Sequence, residues 1–298
     1  MTTAAIRPPF AVDGPPDPEL VRIRDLIYEA AGIFLPGKKL GLLFAGCCRR
    51  MKEMKARDLS EYFGCLSAKS KGPSELIALL NEITIGETCF FRSQQQLDAL
   101  TQIVLPKILA AKGFSPTPML KIWSAGCSTG EEPYTLSMAL AERAAHPPQG
   151  WSFEIVATDL NERSLAHARQ ATYGAYSTRK LTSYFAGKYF SGDADQMQLS
   201  REVRSQVSFS RLNLFNDERM ATMNGFDLIF CCNVLIYFDL ASKRRVIQHF
   251  FNSLLPHGYL FLGTSESLFG VNDSFRLVHF PRATAYVKAN RLPSGQHP

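Results

Sequence analysis

The chain lacks several features that would assign it early. Its seven cysteines, at positions 47, 48, 65, 89, 127, 231 and 232, form no C-x-x-C pair and show no cysteine-histidine ligand spacing. An odd number with two adjacent pairs suits neither a disulfide framework nor a zinc site, so reduced thiols, no metal and a cytoplasmic location are expected. The opening MTTAAIRPPFAVDGPPDP has no apolar core of the signal-peptide kind. No apolar run approaches the roughly 20 residues of a membrane span, so no membrane insertion is expected. Finger and RNA-binding motifs are missing, as is the Gly-x-Gly-x-x-Gly of dinucleotide folds.

What is present is ordinary in bulk and specific in detail. With 298 residues, 46% of them hydrophobic and 20% charged, the chain can bury a full core in one large and one small domain. A formal charge of +6 hints at an acidic partner. Five prolines within residues 1–18 predict a disordered tail. Helical periodicity then predicts four short helices over 19–88: from Glu19, from about Lys38 to Met54, from Asp58, and from Glu75 to about Ile83. The second carries Arg49, Arg50, Lys52, Lys55 and Arg57 against one acid, Glu53. That stretch reads either as a solvated face or as a docking surface for an acidic partner. A linker and long helix fill 89–118, with Phe90 and Phe91 as core and Arg92 requiring an acid or a ligand carboxylate.

The stretch KIWSAGCSTGEEPY at 121–134 is the organising one. An apolar strand ends, Gly126 and Gly130 allow a tight turn, and Pro133 sits in a helix's first turn. Acids at Glu131 and Glu132 argue against a pyrophosphate at that helix start and for a ligand bearing positive charge. S-adenosylmethionine, with its sulfonium and ammonium, fits. Asp159 falls at the tip of the next strand, where a carboxylate holds ribose hydroxyls; Asp159 or Asn161 capping the following helix is the competing role. Asn213 and Leu214 end a third strand, and there an amide either reads an adenine edge or turns the chain. Asn233 and Tyr237 follow a fourth strand, and the chain closes on a predicted antiparallel hairpin. Alternating strands and helices make this a doubly wound α/β sheet with one antiparallel edge, over 119–290, with a small β excursion at about 185–210.

The motifs T-x-x-E-T-x-F-F-R, S-T-G-E-E-P-Y, A-T-D, N-L, F-C-x-N-V-x-I-Y-F and S-E-S, behind a small helical domain, resemble the CheR-type chemotaxis receptor methyltransferases. The resemblance implies a class I S-adenosylmethionine-dependent methyltransferase, Rossmann-like, with an all-α receptor-docking domain at 19–88. It implies a protein-glutamate O-methyltransferase that yields S-adenosylhomocysteine. Its cofactor contacts fall on Thr88, Arg92, Glu132, Asp159, Asn213, Leu214, Cys232 and Asn233, beside Gly126, which the turn itself places at the cofactor, and its reacting-centre positions on Arg92 and Tyr237. The implied partners are chemoreceptor cytoplasmic helices, with no nucleic acid. Two positions depart from the family: Gly86 stands where asparagine is usual and Cys232 where arginine is usual, which predicts weaker cofactor contact. Ser128 also stands where many such enzymes have glycine. A short excursion predicts a receptor used without a tethering pentapeptide. A nucleic-acid methyltransferase and a non-catalytic S-adenosylmethionine sensor are the alternatives. Against the first, the segment from Asn233 to Tyr237 lacks the paired prolines that hold an exocyclic amine.

Overall fold

Pro18 opens the first helix because its missing N–H has no helical partner at that position, and Asp17 caps it by accepting from the amides of Glu19 and Leu20. Residues 16–18 are therefore ordered chain. The computed structural model describes residues 16–84, 86–113, 117–146 and 150–288; the rest of the predicted tail lies outside these. The described residues form two units, one running to Thr84 and including Tyr237–Asp239, the other running from Gly86.

The first unit holds α1 (Pro18–Ala31), a 3₁₀ turn (Gly37–Lys39), α2 (Leu40–Met54), α3 (Leu59–Ser67) and α4 (Gly72–Ile83). Leu20, Ile23, Ile27, Leu43, Tyr62 and Leu79 are fully buried, which matches the apolar period of each helix. Asp58 caps α3 by accepting from Glu61 N at 2.8 Å, while Glu61 reaches back to Arg57 N at 2.8 Å.

The basic face of α2 is less open than its sequence suggests. Arg50 is buried and forks onto Glu75 at 2.9 and 2.7 Å, with Tyr62 donating to the same carboxylate and Glu53 as a further partner. Arg49 pairs with Glu82 and Arg57 with Glu61. Lys52 and Lys55 are exposed and have no ion pair among the described residues. Tyr237–Asp239 belongs to this unit: Phe34 N donates to Tyr237 O at 2.8 Å, Ile33 bridges Phe238, and Tyr28 donates to Asp239 at 2.9 Å.

The second unit begins with α5 (Gln94–Ala99), a π turn (Leu100–Val104) and α6 (Leu105–Ala111), in place of one uninterrupted helix. Pro106 explains the break, because it has no N–H to donate and its ring would strike the carbonyl one turn back. There follow β1 (Met119–Ala125), α7 (Glu131–Ala144), β2 (Ser152–Asp159), α8 (Glu162–Gln170), β3 (Thr172–Tyr173), α9 (Ala175–Thr178) and α10 (Ser183–Tyr189). Next come β4 (Phe190–Asp193), β5 (Gln196–Leu199), α11 (Arg201–Ser205), β6 (Val207–Arg211), α12 (Asp217–Ala221) and β7 (Phe226–Cys231). The last elements are α13 (Leu240–Ser253), β8 (Leu254–Leu262), β9 (Phe275–Phe280) and β10 (Ala283–Lys288).

The main sheet has the order β6-β2-β1-β7-β8-β10-β9, parallel through β8 and antiparallel at the terminal pair. β1 is central and its alternate residues serve both faces. Trp123 packs on Phe226 and on Phe250 of α13, while Ile122 joins Phe230, Phe261, Leu100 and Tyr134 on the other side. Both faces are therefore covered, as a doubly wound sheet requires. The excursion is a separate three-stranded sheet, β3-β5-β4, with strands of four residues or fewer. All seven cysteines are free thiols. Burial pushes the Cys47 thiol up to about 12.

Candidate cofactor site

The parallel strands β1, β2, β7 and β8 all end at one edge of the sheet, where the switch in strand order opens a crevice. The turn after β1 is built by residues with left-handed backbone. Gly126 has φ +77° and leaves room for Val234, whose methyl would lie 2.3 Å from a Cβ on that glycine. Ser128 has φ +50°, and Gly130, at φ +95°, precedes α7. The amides of Gly126 and Cys127 both donate to Thr158 O, which ties this turn to the end of β2.

Asp159 stands where that strand ends. Its Oδ2 accepts from Ser128 N and its Oδ1 from Asn161 N, each at 2.8 Å. The cap of α8 is Asn161, whose Oδ1 accepts from Arg163 N and Ser164 N. Asp159 is therefore released from capping. Burial raises its pKa, opposed by the backbone donors of Asn161 and Ser128.

The two acids of α7 have separate roles. Glu131 is buried and held by Thr129 and Ser177 at 2.6 and 2.7 Å, a structural arrangement. Glu132 is half-buried and accepts from Ser124 Oγ of β1 at 2.7 Å. Burial raises its pKa; the Ser124 and Cys232 hydrogen bonds and the charge of Arg92 oppose this, and Glu266 adds to it. Arg92 is exposed and donates to Glu87 O at 2.7 Å, and its charge opposes the burial-driven rise of the Glu132 pKa.

Asn233, at φ +62°, begins the loop after β7; its amide donates to Glu266 Oε2 at 2.8 Å. Cys232 is half-buried, its thiol 3.7 Å from Gln96 Oε1, and burial beside Glu132 keeps it protonated. Asn213 does turn the chain, its Oδ1 accepting from Phe215 N at 3.0 Å, and Leu214 is buried next to it. Thr88 lies half-buried in the segment from Gly86 to Arg92. Tyr237, by contrast, makes its described contacts within the first unit, its ring 5.4 Å from Lys39 Nζ.

Two residues were not singled out from sequence. Gln96 is buried and donates to Leu262 O at 2.6 Å, binding α5 to the end of β8. Glu266 joins the ends of β7 and β8. Only its place in S-E-S after a strand gave a signal.

The donor set suits a cationic nucleoside. Glu132 and Asp159 bring two carboxylates to one edge with no salt bridge to either among the described residues, and Glu266 ties the adjoining strand ends. Glu266 Oε1 is a buried oxygen with no hydrogen-bond partner in the same set. Among the described residues no cluster of histidine, cysteine, aspartate and glutamate could hold a metal ion, and no helix is long and apolar enough to cross a membrane.

Comparison with known proteins agrees with this geometry. Residues 86–284 match the model of the CheR methyltransferase SAM-binding domain and residues 18–84 that of the CheR methyltransferase all-alpha domain. The chain is 35% identical over 281 residues to chemotaxis protein methyltransferase 2 of Vibrio cholerae, covering 94% of this chain and 96% of that one. It is 35% identical over 253 residues to the chemotaxis protein methyltransferase of Borreliella burgdorferi, covering 85% and 89%. The Escherichia coli chemotaxis protein methyltransferase is 31% identical over 266 residues, covering 88% of each.

Proposed function

The chain belongs to the CheR methyltransferase family and is an S-adenosylmethionine-dependent methyltransferase, and from that premise we propose that it esterifies glutamate side chains of chemoreceptor cytoplasmic helices. The observation that carries this reading is the placement of Asp159 at the end of β2 and Asn233 just past β7, with Glu132 in the first turn of α7 hydrogen-bonded to Ser124 of β1. The cofactor supplies a methyl group made electrophilic by its sulfonium. A glutamate carboxylate is ionised near neutral pH, so the chain need supply no base and acts by orientation and exclusion of water.

In this reading Asp159 accepts from the ribose hydroxyls, and Asn213 and Leu214 flank the adenine. Glu132 faces the cationic portion, Gly126 and Asn233 shape the turns around it, and Cys232 contributes through its backbone. Thr88 and Arg92 hold the methionine end, and Arg92 and Tyr237 orient the incoming carboxylate. The exposed Lys52 and Lys55 of α2 face the acidic receptor. The receptor is used without a tethering pentapeptide, a reading supported by the shortness of the β3-β5-β4 sheet. The enzyme works in the cytoplasm, in keeping with its seven free thiols.

A methyl-transfer assay with labelled cofactor tests this. Base-labile label on a chemoreceptor cytoplasmic domain is expected. Label on nucleic acid, or cofactor binding with no transfer to receptor, would overturn it.

A further inference from the structure

Glu266 lies three residues beyond Gly263, past the end of β8. Its Oε2 accepts two backbone hydrogen bonds, from Gly263 N at 2.7 Å and from Asn233 N at 2.8 Å. These amides lie just past the ends of two different strands, β7 and β8, 30 residues apart in the chain (263 minus 233). Asn233 is a non-glycine residue at φ +62°, a conformation asparagine adopts more readily than most residues but still less readily than extended backbone. The space is tight: a Cβ on Gly263 would lie 2.7 Å from Glu266 Oε2 and 2.9 Å from Asn233 N.

We propose that Glu266 is a positioning residue for cofactor binding, its carboxylate clasping the ends of β7 and β8 so that the Asn233 loop keeps its left-handed turn. The inference rests on the methyltransferase reading above and adds a residue to it. A single carboxylate oxygen taking two amide N–H groups is a charge-assisted clasp, stronger than a bond between neutral groups. Releasing it frees Asn233 to return to an extended backbone. The loop would then pay an ordering cost on each binding event, which appears as weaker affinity for cofactor at unchanged chemistry.

The test measures S-adenosylhomocysteine binding by calorimetry, and methyl transfer on a receptor domain, for full-length Glu266→Ala, Glu266→Gln and Glu266→Asp. For Glu266→Ala, a rise of about 10–100-fold in Kd and in KM for S-adenosylmethionine is expected, with kcat and the receptor KM unchanged. Glu266→Gln keeps an acceptor at the right reach but loses the charge, so its affinity falls between wild type and alanine, whereas Glu266→Asp is too short and resembles alanine. If Glu266→Ala does not fold, the Gln and Asp variants decide on the same criteria. Wild-type affinity in Glu266→Ala or Glu266→Asp, or a Gln variant as weak as alanine, would overturn the clasp. A wild-type protein that binds no S-adenosylhomocysteine would instead overturn the methyltransferase reading, and the clasp with it.

Discussion

Ser128 Oγ occupies the place a side chain on residue 86 would need. A Cβ on Gly86 would lie 2.2 Å from that hydroxyl, and the hydroxyl donates to Gly86 O at 3.3 Å. This is a local exchange: the loop after β1 supplies at Ser128 a side chain where the facing segment, at Gly86, has none. The missing asparagine at Gly86 leaves no hole, because Ser128 fills it.

This exchange predicts strong coupling. Gly86→Ala alone should destabilise by about 1–3 kcal/mol, since the neighbour must shift. With Ser128→Gly the same change should become nearly neutral, and the glycine should also relieve the left-handed backbone at φ +50°. Denaturant unfolding of both single variants and the double gives the coupling directly; additive losses would contradict the packing described.

Asp159 and Asn161 separate binding from folding. Asn161→Ala removes the cap of α8 and should cost about 1 kcal/mol of stability while leaving cofactor affinity near wild type. Asp159→Asn should instead weaken S-adenosylhomocysteine binding by about 10–100-fold, from loss of a charged acceptor for the ribose diol. Calorimetric titration beside thermal unfolding distinguishes the two.

Strand and helix order was legible because each element's apolar period agrees with its burial; Trp123, Ile155 and Leu228 are all fully or nearly fully buried. The places of Asp159, at the end of β2, and Glu132, in the first turn of α7, were legible because the strand and helix patterns around them are. What sequence could not give was pairing at a distance. Arg50 belongs to the same basic run as Lys52, yet Glu75, 25 residues away, draws it inside. Glu266 and Gln96 act through backbone amides and carbonyls of other strands, which leave no mark in residue spacing.

The α2 charges should therefore divide by experiment. Glu75→Ala strands a buried guanidinium and should destabilise by about 3–5 kcal/mol. Charge reversal at Lys52 and Lys55 should leave stability within about 0.5 kcal/mol and raise the KM for receptor, most strongly at low salt. Unfolding curves and receptor titrations at two ionic strengths check both.

Tyr237→Phe removes one hydroxyl and should lower kcat on receptor by about 10-fold or more while cofactor Kd stays constant. Full methylation by this variant at saturating cofactor would take Tyr237 out of the carboxylate-orienting role.

Glu132 ties binding to pH. Burial raises its pKa in the folded protein above the ordinary value of 4.5, so the native state binds the proton more tightly than the unfolded chain does. Stability from this group is present at low pH and is lost as pH rises from that ordinary value through the raised one. Glu132→Gln keeps an oxygen for Ser124 but carries no charge, so the difference in unfolding free energy between variant and wild type should grow in the variant's favour across that window. Cofactor binding should run the opposite way. A cationic ligand favours ionised Glu132, so wild-type affinity should rise with pH over the same window, protons should be released on binding, and Glu132→Gln should bind weakly at every pH. Thermal unfolding across a pH series, with calorimetry in two buffers of different ionisation enthalpy, measures both slopes; a variant that binds as tightly as wild type at neutral pH would remove Glu132 from the cationic subsite.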